Sequence, residues 1–240
     1  MPNVRSLIKG LDAQSALPML LSAYVKFDTP DFNKIVKWLL VFIARAVFTD
    51  LDSSGIETLL FGLARSIRAI PEGDAKAKIA KLGEIKDTLK KSAPTKEQIE
   101  ASVERIILPN DSAEYIIRKL SDAMESKTKE STTGRESNLE HIFPLSPTDT
   151  EWGGPENQAT LEPYTWHLGN LMMLGERLNN KSKNMEYELK RPIYAKSELA
   201  MARKVAEDYE AWTKSTIEDR ANKLAPLLTV VWDFDNPSRV

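Results

Sequence analysis

Glu140-His141-Ile142-Phe143-Pro144 and, further along, Asn170-Leu171-Met172-Met173-Leu174-Gly175-Glu176-Arg177-Leu178-Asn179 are the stretches that decide how this chain reads. They supply one imidazole, one carboxylate and two carboxamides. The chain has only two histidines, His141 and His167, and both lie in this region. From Gly175 a helical pattern runs over Glu176 to Lys183, so Asn170 falls before or within a short strand and Asn179 on the helix after it. Leu171, Met172, Met173 and Leu174 pack that hairpin against the helix.

These residue types suit phosphodiester hydrolysis. The reaction needs an activated water and positive charge beside the phosphate, which a divalent cation held by one or two protein oxygens supplies. A neutral histidine, with an unperturbed pKa near ~6.5, takes a proton from water at cellular pH. Glu140 and His141 are adjacent, so an extended strand would point their side chains to opposite faces. A shared site therefore requires the backbone to bend there, and Pro144 with the turn-rich segment after it favours a bend.

The rest of the chain reads as a helical setting for this region. Residues 1–127 form a helical scaffold or docking region. Leu17, Leu20, Leu21, Tyr24 and Val25 share a helical face. Thr29-Pro30 caps and opens a helix carrying Phe32, Ile35, Val36, Leu39, Leu40 and Ile43. A further helix starts at Ser54 or Gly55, a polar one spans Asp74 to Leu89, and Thr95 with Gln98 reads as a capping box. Asp111 or Ser112 begins the last helix of this half. Residues 128–138 are polar and apolar-free, a linker; 139–235 form the second domain. Residues 144–170 read as a long irregular loop, the kind that is usually functional. Helices return over Ser197 to Trp212 and Thr216 to Trp232, with a kink expected at Pro226.

Composition narrows the partners. With no cysteine there is neither a disulfide framework nor a thiolate zinc site, so any metal must be held by N and O ligands. The apolar run from Val36 to Phe48 is too short to span a bilayer and contains Lys37 and Arg45, so no membrane role and a cytoplasmic location are expected. A net charge of −2 gives no global pull toward nucleic acid. Contact must come from a local basic face. Between Lys181 and Lys204 there are seven basic residues against three acidic ones. Lys181, Lys183, Lys190 and Arg191 are the candidate phosphate contacts. Trp152, Trp166, Trp212 and Trp232 read as packing residues, with Trp152 or Trp166 also able to meet DNA from the loop.

The residues also resemble a known family. Glu-His-Ile followed by Asn-Leu-x-x-Leu and a further Asn is similar to the ββα-metal, or HNH, nuclease motif. More specifically it resembles the C-terminal nuclease domain of GmrSD-type, modification-dependent restriction endonucleases. That pattern is matched by Glu140 to Pro144, His167 to Leu171, Asn179 with Asn184, and Trp212, Ile217, Arg220 and Leu224. The resemblance implies a mainly α fold, with a helical N-terminal region and a C-terminal ββα-metal core embedded in helices. It implies His141 as general base, Glu140 and Asn179 as ligands of Mg²⁺ or Mn²⁺, and Asn170 as the residue that holds the His-bearing strand. His167 would contact the scissile phosphate or orient His141, or else be structural. Asn180 stays open as an alternative ligand to Asn179.

The expected activity is therefore metal-dependent nicking or cutting of phage or modified DNA in bacterial restriction. The alternative is a non-catalytic HNH-like DNA-binding or helical subunit-docking module. The Asp-Gly-Gln-Gln-Arg signature of the family's NTPase-like module is absent from the sequence. Such a sensor module is expected in trans or in another part of a longer chain.

Overall fold

The computed structural model describes residues 2–125 and 136–240. The expected linker at 128–138 lies mostly outside the described residues. The chain is mainly helical and divides into two compact units, Met1–Ile99 with Val230–Val240, and Glu100–Thr229.

The first unit contains α1 (Pro2–Arg5), α2 (Leu17–Lys26), α3 (Thr29–Phe48), α4 (Ser53–Arg68) and α5 (Ala75–Ser92). Helix α3 is its centre. Twelve of its twenty residues are buried, from Phe32 through Phe48, so the apolar run is a core helix. Among the described residues no helix is long and apolar enough to cross a membrane. The α3 cap is Asp28, whose carboxylate accepts from the Asp31 amide at 2.9 Å, one residue earlier than the expected Thr29; Pro30 sits in the first turn, where no amide donor is needed. Asp52 and Asp74 cap α4 and α5 in the same way. The capping box at Thr95 and Gln98 forms as expected, with the Thr95 amide donating to Gln98 Oε1 at 2.8 Å and the Gln98 amide to Thr95 Oγ1. Near the C-terminus Trp232 sets its ring edge-on to Phe48 at 5.0 Å.

Helix α6 (Lys96–Ser102) leads into the second unit, which holds α7 (Asn110–Glu125), β1 (Ser137–His141), α8 (Gly154–Leu161), β2 (Leu171–Gly175), α9 (Glu176–Ser182), α10 (Tyr187–Tyr194), α11 (Ala200–Asp208) and α12 (Lys214–Val231). The strands pair antiparallel, Ser137 opposite Gly175 and His141 opposite Leu171. Leu171 to Leu174 are buried, because α7 covers β2 while α9 follows it directly.

Three features differ from the sequence reading. The unit boundary falls at residue 99/100 and not at 127, because the apolar face of α7 (Ile116, Ile117, Leu120) belongs with β2. The loop after Pro144 contains α8, reached through a turn in which Trp152, Gly153 and Gly154 all have positive φ. The helix expected over Ser197 to Trp212 is only α11, while α10 forms upstream around Pro192. Pro192 argues against a helix locally, but Tyr187, Lys190, Ile193 and Tyr194 are buried on one face, and that burial outweighs one lost backbone bond.

Candidate functional site

Strand β1 stays extended through His141, and the chain bends only at Ile142 and Phe143. Alternation along the strand therefore separates the two side chains expected to share a site. The His141 ring packs edge-to-face on Trp166 at 4.5 Å and 88°. Its Nε2 is buried and has no hydrogen-bond partner among the described residues. Burial, reinforced by the charge of Lys190, lowers the His141 pKa to about 4.

Glu140 turns the other way and is buried. Its Oε1 accepts from Tyr194 OH at 2.6 Å, Lys190 Nζ at 2.8 Å and Ser182 Oγ at 3.2 Å. Its Oε2 accepts from Asn179 Nδ2 at 3.2 Å, and the same nitrogen donates to the Leu139 carbonyl. Lys190 is fully buried and also donates to the His141 carbonyl at 3.0 Å. Desolvation pushes the Lys190 pKa down, opposed by the Glu140 charge. The structure thus brings Glu140 and Asn179 together, and it takes Lys190 away from solvent and from any phosphate. Arg191 donates Nε to the Ala206 carbonyl. Lys181, Lys183 and Asn180 are exposed.

Asn170 is wholly buried and uses all of its side-chain capacity. Oδ1 accepts from the Phe143 amide at 2.8 Å and Trp212 Nε1 at 2.9 Å; Nδ2 donates to the carbonyls of Phe143 and Thr165. It holds the chain just beyond His141. The His167 Nδ1 accepts from the Gly169 amide and Nε2 lies 3.1 Å from the Glu104 carbonyl, so backbone occupies both ring nitrogens. Asn184 donates to the Ser146 carbonyl at 2.7 Å.

The C-terminal helix closes this region from behind. A Cβ on Gly169 would lie 2.0 Å from the Ile217 carbonyl oxygen, so only glycine permits the approach. Buried Arg220 donates Nη1 to the carbonyls of Gly169 at 2.6 Å and Leu171 at 2.9 Å. Its Nη2 lacks a partner among the described residues, and burial lowers its pKa to about 10. Trp212, Ile217 and Arg220 therefore all bear on the block from His167 to Leu171.

Comparison with protein families gives a match over residues 92–227 to the model described as "GmrSD restriction endonucleases, C-terminal domain". The chain belongs to this family. No curated protein matched the chain. The matched GmrSD C-terminal domain includes α7, consistent with the packing of that helix on β2.

Within this GmrSD domain, sequence reasoning missed Tyr194 and Ser182 around Glu140 and gave Lys190 a phosphate contact in place of its carboxylate partner. A signal was present: Tyr187, Lys190 and Tyr194 lie at i, i+3 and i+7, which places a lysine on an apolar stripe and calls for a buried partner.

The arrangement also bears on the divalent cation. Mg²⁺ is held by one or two carboxylates with waters and substrate phosphate. Glu140 already has four donors, one of them an ammonium. A divalent ion within ~4 Å of that ammonium would meet a repulsion of roughly 8 kcal/mol at an effective dielectric of about 20. Among the described residues no group of three or more His, Asp, Glu or Cys side chains is placed to hold a metal. As arranged, these side chains do not fit a cation at Glu140.

Acid should destabilise the protein through both histidines. Burial holds His141 at about 4 and lowers His167 below its ordinary value. The unfolded chain protonates each near ~6.5. Below about pH 6.5 the unfolded state gains protons that the folded state refuses, so stability falls toward pH 4. The unfolding midpoint is expected to drop between pH 6.5 and 4.5, and to drop less steeply in His167→Gln. An identical pH slope in that variant would remove His167 as a source.

Proposed function

We propose that this chain is a DNA endonuclease subunit or domain acting in restriction, with His141 as the general base that activates water for phosphodiester hydrolysis. The observation that carries the reading is the unpartnered, buried Nε2 of His141 within a domain of a restriction endonuclease family. A buried polar atom without a partner marks a place completed by water or ligand.

In this reading His141 is neutral at cellular pH and ready to accept a proton. Trp166 fixes its ring plane. Lys190 and Asn170 fix the backbone on either side of it. The negative charge of a bound phosphate would raise the basicity of the imidazole as the reaction begins. Water oxygen attacks phosphorus, its proton passes to His141, the ester P–O bond breaks and the leaving oxygen takes up a proton. The ββα arrangement of the HNH class corresponds to β1, β2 and α9. Exposed Lys181 and Lys183 contact the phosphate backbone without reading sequence. The substrate is phage or modified DNA, and modification sensing belongs to an NTPase-like partner module.

The test is relaxation of supercoiled plasmid by purified protein in Mg²⁺, in Mn²⁺ and in EDTA. Cleavage abolished by EDTA would support a metal-dependent nuclease with its cation held away from Glu140. No cleavage under any condition, with or without the partner module, would favour the non-catalytic docking reading.

A further inference from the structure

A carboxylate offers about four lone-pair sites, and Glu140 receives four donors from within the chain. Three donors converge on Oε1 and one on Oε2, from Asn179 and Ser182 on α9 and Lys190 and Tyr194 on α10. Lys190 has no solvent exposure, and among the described residues Glu140 is its only carboxylate partner. A lysine is buried this completely only when paired. Lys190 also spans to the His141 carbonyl, so one ammonium ties α10 to both residues at the end of β1.

We propose that Lys190 is the resident cation of the Glu140 carboxylate, so that Glu140 anchors β1 and does not ligate a divalent metal, and that Lys190 positions His141 through its carbonyl. The second half rests on the nuclease reading above; the first half does not. The counter-charge that the resemblance assigns to a metal at Glu140 is here supplied by a side chain fifty residues downstream. A lysine in that place gives the carboxylate a permanent counter-charge, with no dependence on ion concentration.

The experiment combines a double-mutant cycle with metal titration of the full chain. Breaking a buried pair by removing one partner strands the other charge, whereas removing both relieves it. Lys190→Met is expected to lower the unfolding midpoint, and adding Glu140→Gln to recover at least half of the loss. Failure to recover would overturn the ion pair. Mn²⁺ binding followed by electron paramagnetic resonance is expected to be the same, within threefold, in wild type and in the double variant. A tenfold or greater weakening would overturn the proposal.

Wild-type protein supplies a readout that survives if variants misfold. Lys190 should stay protected from an amine-acylating reagent with and without Mn²⁺; exposure on adding Mn²⁺ would show the metal displacing it. For positioning, the double variant should lose at least tenfold in kcat with KM for plasmid DNA unchanged, and an unchanged kcat would refute that role. The stability, binding and protection readouts do not use cleavage. A wild-type protein that never cuts DNA would therefore sink the nuclease reading and leave the anchor standing.

Discussion

Replacing His141 with alanine should lower the rate of DNA cleavage about 10²- to 10⁴-fold, the usual contribution of a positioned general base. The fold should survive. The ring makes no hydrogen bond through Nε2, so its loss strands no partner. What disappears is an edge-to-face contact with Trp166, worth about 0.5–1.5 kcal/mol. Binding of DNA should also persist, because phosphate contacts come from other side chains. Single-turnover cleavage alongside a thermal melt checks both halves of the expectation. A variant that cleaves within threefold of wild type would mean that another group activates the water.

Asn170→Ala should be the most damaging single substitution for stability in the second unit, costing about 3–5 kcal/mol. The side chain joins four groups: the Phe143 amide and carbonyl, the Thr165 carbonyl and Trp212 Nε1. Each buried polar group left unsatisfied costs about 1–3 kcal/mol, and the sum is reduced because neighbours in one network do not add. The position is wholly buried, so water cannot replace the amide without opening the packing. Chemical denaturation of the variant measures the loss. A change below about 1 kcal/mol would show that these four groups find other partners. Cleavage should fall as well, since the Phe143 backbone carries the chain away from His141.

Local chemistry made part of this legible in the sequence. The helix Glu176–Ser182, the central helix opened near Pro30 and the capping box at Thr95 depend on residues close together. What stayed hidden depends on distant partners. Lys190 was grouped with Lys181 and Lys183 as a phosphate contact because residue type alone puts lysine on the surface; only the carboxylate fifty positions away explains its burial. The bend expected between Glu140 and His141 is absent for the same reason. The two side chains serve opposite faces, and nothing nearby in sequence declares what covers each. The apolar face of α7 was equally readable as a helix and equally silent about β2.

The closure of the His167–Leu171 block by Trp212, Ile217 and Arg220 has a consequence for synthesis. The bonds from Asn170 to Trp212 and from Gly169 to Arg220 span 42 and 51 residues. Contacts of such separation form only after a long loop has been closed against its entropy. A chain emerging from the ribosome therefore carries its histidine-bearing hairpin unlatched until α12 is made. The hairpin that carries His141 is thus held in place by residues made well after it.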